Sequence, residues 1–216
     1  MLPHTLNAEL KMTKRIAILI SGRGSNMVAL ADAVSSGSIA GAEIAIVLSD
    51  KPTAGGLQVA RDRGLQTAVV ERRGRNREEH ELEIINVLRS HEVDWVCLAG
   101  YMRVLSPCFI DEFHGRVLNI HPSLLPAFPG LDAQRQALAH GVKISGCTVH
   151  FADNTLDGGP IILQRAVPVM DDDTEETLSA RILELEHKLY AEALQLVVEG
   201  NYEIAGRRVI RCRSND

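Results

Sequence analysis

Short apolar runs alternate with segments of helical pattern through the first half of this chain, and nothing else in the sequence limits its fold as strongly. Residues 15–20 (RIAILI) form an apolar run closed by Ser21-Gly22, the pattern of a buried strand entering a tight turn. Residues 26–36 read as a helix followed by Gly37, and 43–49 as a second strand. Residues 56–63 are a short helix with Gly64 as its stop, and 66–70 a third strand. Residues 77–91 are an amphipathic helix with Leu82, Ile85 and Leu88 at helical spacing, and 95–98 a fourth strand ending in Ala99-Gly100. Strands that alternate with helices predict an α/β fold, a doubly wound, mostly parallel sheet flanked by helices. Sheets of this kind bind ligands beyond the carboxyl ends of their strands, so chemistry is expected in the segments after Ile20, Leu98 and Ile120.

The second half continues with a short helix after Pro107, a fifth strand at 117–120, and a proline-rich loop at 122–129. A helix at 133–140, strands at 144–151 and 161–169, and one long helix at 174–198 follow. Asp173 is the expected N-cap of that helix, with Glu176 in the capping-box position and Glu175 beside it in the first turn, where the helix dipole favours acids. No repeat or linker divides the pattern. The expectation is a single domain over 15–205, preceded by a disordered extension at 1–14 and followed by a tail at 206–216 that carries no usable motif.

The charge balance narrows the partners. The net charge is -5, whereas a chain that grips a polynucleotide through its phosphates usually shows a basic stripe. Arg72, Arg73, Arg75 and Arg77 are the one basic cluster, and Glu71, Glu78 and Glu79 dilute it into the pattern of a solvated loop and helix start. No run approaches the ~20 apolar residues of a membrane helix, and the amino terminus lacks a signal core. Cys97, Cys108, Cys147 and Cys212 have no C-x-x-C spacing, and Cys97 and Cys147 sit inside apolar runs. A cytoplasmic chain with small-molecule partners, no nucleic acid and no membrane is expected, with a homodimer left open.

Two groups of residues carry chemistry. Ser21-Gly22-Arg23-Gly24-Ser25-Asn26 joins the first strand to the first helix. Glycines there let backbone approach a ligand, and a helix N-terminus offers unpaired N–H groups and partial positive charge, so the loop suits a monophosphate. It matches neither the Walker pattern nor the full dinucleotide fingerprint, and a glycine turn serving only the fold is the bland reading. Farther along, Asn119 and His121 lie two apart on a strand and face the same side. Asp157 opens the turn Asp157-Gly158-Gly159-Pro160. An Asn amide, an imidazole and a carboxylate suit acyl transfer to an amine. The amide stabilises the tetrahedral oxyanion, the imidazole donates or shuttles a proton, and the carboxylate favours the imidazolium and accepts a proton. On pattern alone, the strand-end His also reads as a structural hydrogen-bonder, and Asp before Gly-Gly as a turn residue. Ser123 lacks a G-x-S-x-G elbow, and no histidine pattern matches a zinc site, so no metal is expected.

The wording of these segments is more specific than their patterns. Asn119-Ile120-His121-Pro122-Ser123-Leu124-Leu125-Pro126, Phe128-Pro129-Gly130, Gly146-Cys147-Thr148-Val149-His150-Phe151 and Leu156-Asp157-Gly158-Gly159-Pro160-Ile161-Ile162 together resemble the folate-dependent formyltransferases. The glycine loop and Ala99-Gly100-Tyr101-Met102-Arg103 narrow the likeness to the branch whose acceptor is glycinamide ribonucleotide, and the resemblance runs over about residues 15–200. It implies a Rossmann-like fold and transfer of a formyl group from 10-formyltetrahydrofolate, as co-substrate, to the glycine amine of the ribonucleotide. Asn119, His121 and Asp157 would be catalytic. Asn119 and His121 would hold the formyl oxygen, and Asp157 would tune His121 and move protons, directly or through water. Gly24, Ser25 and Asn26 would bind the nucleotide phosphate, and Glu186 the glycine amine or ribose. Met102, Arg103, Val104 and Leu105, with Asn119, would line the folate pocket; Arg77 would reach the folate; and His150 would give structural support.

Three rivals share parts of this pattern. A methionyl-tRNA formyltransferase would carry a further nucleic-acid-binding domain, for which no room is expected after Gly200. A formyltetrahydrofolate hydrolase would use water in place of the amine and carry an N-terminal regulatory domain, where only residues 1–14 precede the first strand. A non-catalytic nucleotide-binding module would keep the glycine loop without needing Asn119, His121 and Asp157 together.

Overall fold

β1 (Lys14–Ile20), β2 (Ala42–Ser49), β3 (Thr67–Val69), β4 (Trp95–Leu98) and β5 (Val117–His121) pair in parallel in the order β3-β2-β1-β4-β5 in the computed structural model, which describes residues 13–212. The hand of pairing then changes. β6 (Ile144–Phe151) runs antiparallel to β5, and β7 (Ile161–Pro168) antiparallel to β6. A terminal hairpin, β8 (Tyr202–Ala205) and β9 (Arg208–Arg211), closes the sheet through the pair Ile161 and Arg208. The extension expected at 1–14 lies outside the described residues up to residue 12, and so does 213–216.

Burial explains why β1 is central. Ile16, Ala17, Ile18, Leu19 and Ile20 are all fully buried, as a strand covered by helices on both faces requires. Successive side chains alternate between faces. Ile16, Ile18 and Ile20 join a core with Met27 and Leu30 of α1 (Ser25–Ser35) and with Leu178, Ile182, Leu189 and Tyr190 of α6 (Glu175–Glu199). Ala17 and Leu19 join a second core with Ile84, Ile85 and Leu88 of α3 (Arg77–Ser90) and Phe109 of α4 (Pro107–Glu112). The remaining helices, α2 (Gly55–Asp62) and α5 (Ala133–Ala139), are short connections. The Tyr190 hydroxyl lies 3.2 Å from the carbonyl of Leu98 and 3.0 Å from that of Leu118, tying α6 to β4 and β5.

Several local expectations are corrected. Leu82 is half exposed, and the buried stripe of α3 runs through His80, Glu81, Ile84, Ile85 and Leu88. A stripe at i, i+3, i+4 and i+7 from Glu81 stays on one helix face, whereas a strict spacing of three drifts off it. Thr174, not Asp173, caps α6, in a reciprocal box with Thr177. Asp173 instead receives Arg181 on both carboxylate oxygens and the N–H of Met170, which hold its carboxyl well below the usual range. The segment expected as a tail from 206 holds β9 as a strand of the same sheet.

Candidate active site

The end of β5 delivers two polar side chains to the edge where parallel pairing gives way to antiparallel. Asn119 stands opposite His150 in the β5–β6 register, and its Nδ2 donates to His150 Nε2 at 3.1 Å. His150 Nδ1 lies 2.9 Å from the Phe151 carbonyl, so Nδ1 carries the ring proton and Nε2 is free to accept. Burial pushes the His150 pKa down, against weaker upward pulls from the Phe151 carbonyl and Asp157, which keeps it in this neutral form. His121 is also buried, and its Nε2 lies 2.9 Å from the Phe128 carbonyl.

Asp157 sits between these groups. Its Oδ2 accepts the N–H of Gly130 at 2.8 Å and faces His121 Nδ1 at 3.5 Å. Its Oδ1 faces Asn119 Nδ2 at 3.5 Å and His150 Nε2 at 3.8 Å. The side chain is 11% exposed and its backbone φ is 49°, a left-handed conformation uncommon outside glycine. The turn is held by close approach: a Cβ on Gly159 would lie 1.9 Å from the Phe151 carbonyl oxygen. The proline-rich loop is pinned to β6, because Thr148 Oγ1 donates to the Ser123 carbonyl and accepts the Leu125 N–H. The Ser123 hydroxyl donates to the Ala127 carbonyl, so it is engaged in the loop's own structure.

Asn119, His121, His150 and Asp157 line a cleft of about 470 Å³. Its other walls include Met102, Arg103, Val104 and Leu105 from the loop after β4. Large apolar side chains stand open around it, with Met102 67%, Val104 61%, Leu131 76% and Leu156 61% exposed. Apolar residues gathered at a cleft with a few convergent polar groups mark a ligand site. Arg77 is exposed on the first turn of α3 and does not line this cleft.

The glycine loop forms a neighbouring corner. Gly24 has φ 78° and precedes α1 as its N-cap without a side-chain cap, which leaves the first N–H groups of α1 unclaimed by a capping side chain. A Cβ on Gly24 would meet the Gly56 Cα at 3.0 Å, so the loop and the start of α2 touch through glycines. Asn26 Nδ2 donates to Glu186 Oε2 at 2.8 Å, which brings α6 to the head of α1. Burial raises the Glu186 pKa, and the Asn26 amide opposes that rise. Asn26 Oδ1 is buried without a partner among the described residues.

Sequence reasoning missed the residues that connect these corners. Asp50, at the end of β2, accepts from Ser21 Oγ at 2.7 Å and from Arg103 Nε at 2.6 Å. Buried Glu81 accepts the N–H of Ser106 at 3.1 Å on both oxygens, and the Ser106 hydroxyl as well. Their signal was an acid in or beside an apolar stripe, legible in retrospect as a buried carboxylate in need of donors. Among the described residues, no group of three or more His, Cys, Asp or Glu side chains is arranged to hold a metal ion.

Residues 14–194 match a family described as Formyl transferase. Phosphoribosylglycinamide formyltransferase of Escherichia coli (strain K12) is 42% identical over 190 residues, 88% of this chain and 89% of that protein. The trifunctional purine biosynthetic protein adenosine-3 of Drosophila melanogaster is 48% identical over 189 residues, 87% of this chain but 14% of that protein. The human protein of the same name is 47% identical over 195 residues, and the chain spans 19% of its length. The crystal structure of glycinamide ribonucleotide transformylase 1 from Symbiobacterium toebii superposes with a TM-score of 0.92 at 48% identity, covering 95% of this chain and 96% of that one. A formyltetrahydrofolate deformylase from Pseudomonas syringae is more distant, at 27% identity and a TM-score of 0.87, with 94% of this chain and 67% of that one covered.

Proposed function

This chain belongs to the formyl transferase family, and from that premise and the site geometry we propose that it transfers the formyl group of 10-formyltetrahydrofolate to the glycine amine of glycinamide ribonucleotide, a step of purine synthesis. The observation that carries the reading is the convergence of Asn119, His121 and Asp157 in one cleft wall, with the nearby Ser123 hydroxyl already committed to a carbonyl. Such a set suits direct attack in a ternary complex. The amine lone pair attacks the formyl carbon and the carbonyl pair moves onto oxygen. The bond to folate N10 then breaks, N10 gains a proton and the amine loses one.

Each residue has a part in that sequence. Asn119 Nδ2 has two hydrogens; His150 takes one, and the other, which reaches Asp157 Oδ1 only at a long 3.5 Å, is the one to turn to the formyl oxygen when substrate is bound. His121 Nε2 is held by Phe128, so Nδ1 is the nitrogen left to donate to that oxygen once protonated. Asp157, facing Nδ1, stabilises the resulting imidazolium and accepts the proton that leaves the amine, directly or through water. The head of α1, with Gly24, Ser25 and Asn26, suits the nucleotide phosphate. Glu186 suits the glycine amine or the ribose. Met102, Arg103, Val104 and Leu105 suit the folate ring system through their place in the cleft. Arg77 lies outside the cleft, and its charge and exposure suit an outer contact with the folate. Four free cysteines, two of them buried, support a reducing, cytoplasmic setting.

An absorbance assay for release of the folate product, run with and without glycinamide ribonucleotide, tests the reading. Product that requires the ribonucleotide is expected. Equal product without it would make the chain a hydrolase, and no product in either case would leave a binding module.

A further inference from the structure

The loop that lines the folate side of the cleft is anchored at both ends by buried carboxylates outside the catalytic set. At its start, the Met102 N–H donates to Ser21 Oγ at 3.0 Å, and Ser21 Oγ in turn donates to Asp50. Asp50's other oxygen takes Arg103 Nε, and the Asp50 side chain is 1% exposed. At the loop's end, Glu81 holds Ser106. Ser21 is also the first residue of the glycine loop, and its own N–H donates to the Gly100 carbonyl at 3.2 Å. One carboxylate therefore touches both substrate loops at once.

We infer that Asp50 is a positioning residue that clamps the folate-lining loop onto the nucleotide loop and so sets the distance between donor and acceptor. A buried carboxylate is retained only where its oxygens are matched by donors. Both of Asp50's oxygens are matched by donors from the two loops that the transfer must bring together. The three links also differ in what they fix. The Arg103 guanidinium bond fixes a side chain that lines the cleft, the Met102 bond fixes backbone at its rim, and the Ser21 bond ties both to the strand end that begins the glycine loop. A general packing role for Asp50 would need none of these partners to belong to the site. The inference rests on the reading of Gly24–Asn26 as the nucleotide loop and Met102–Leu105 as the folate loop.

The test compares the wild type with Asp50→Ala and Asp50→Asn. Calorimetric titration with tetrahydrofolate alone and with glycinamide ribonucleotide alone is read beside kcat and the thermal midpoint. Asp50→Ala is expected to weaken tetrahydrofolate binding about tenfold and to lower kcat by a similar factor, with ribonucleotide Kd within about twofold. Asp50→Asn keeps an acceptor for Ser21 and loses the charge that holds Arg103, so it should show the same folate-selective loss to a smaller degree. It also keeps the test open if the alanine variant does not fold. Unchanged Kd and kcat would overturn the inference. So would equal weakening of both ligands in step with a fallen midpoint, the mark of a merely structural residue. If the wild type binds neither ligand, the functional reading itself fails, which is a separate result.

Discussion

Asn119 and His150 face each other across the junction of a parallel and an antiparallel strand pair, with the amide donating to a ring nitrogen that carries no proton. The contact fixes which way the Asn119 amide is turned. On the proposed mechanism, His150 would act on the reaction through Asn119. Replacing it by leucine removes the acceptor and frees the amide to rotate. We expect His150→Leu to lower kcat by about tenfold to a hundredfold, comparable to partial loss of an oxyanion donor, with little change in ribonucleotide KM. Steady-state kinetics check this, and an unchanged kcat would show that the amide is held by other means.

The same pair predicts an acid limb. Burial lowers the His150 pKa in the folded chain below its usual 6.5. The unfolded chain thus binds the proton first as pH falls, so the stability from a neutral His150 is fully present above about 6.5 and is lost as pH falls through the folded value. Protonated Nε2 would also turn a donor toward the Asn119 amide. Urea midpoints measured on either side of pH 6.5 should fall with acidity in the wild type and fall less in His150→Gln.

Asp157→Asn keeps the shape of the turn side chain and removes its charge. Turnover is expected to drop by about 10²–10⁴-fold, the range of a lost acid–base group, while ribonucleotide binding stays largely intact. Calorimetry beside single-turnover rates separates the two. If affinity is lost as steeply as rate, Asp157 holds the loop and does not move protons.

Glu186→Gln preserves an acceptor for Asn26 but not a negative charge. We expect ribonucleotide KM to rise about tenfold, equivalent to about 1.4 kcal/mol of binding, with folate KM within about twofold. A rise confined to folate KM would place Glu186 on the wrong ligand.

Gly159 has no room for a side chain beside the Phe151 carbonyl. Gly159→Ala should destabilise the fold by about 1–3 kcal/mol, read from the shift in urea midpoint at constant slope. A variant as stable as the wild type would mean that the turn yields easily.

Strands β1 to β7, and the shared face of Asn119 and His121, were legible in the sequence because each is a local pattern, whereas the place of Asp157 beside them came from the family resemblance. A strand buried on both faces shows as an unbroken apolar run, as in β1, and Asn119 and His121 share a face by period two alone. What escaped depends on partners distant in the chain. Asp50 and Ser21 are 29 residues apart, and Glu81 and Ser106 are 25 apart, so the local sequence marks each acid but does not name its partner. The cap of α6 was misplaced by one residue because Asp173 and Thr174 are both good caps, and Asp173 is taken instead by Arg181, two turns along the same helix. The family resemblance supplied Arg77 as a folate contact, whereas the geometry leaves it outside the cleft.

The terminal hairpin also bears on how the protein is handled. β9 pairs with Ile161, whose N–H donates to the Arg207 carbonyl at 3.2 Å, and Ile161 directly follows the turn that presents Asp157. A substitution that loosens β9 would therefore reach the strand that follows the turn carrying Asp157. A shortened version cut at Gly200 would leave that turn without its neighbour, although every residue named in the transfer would still be present.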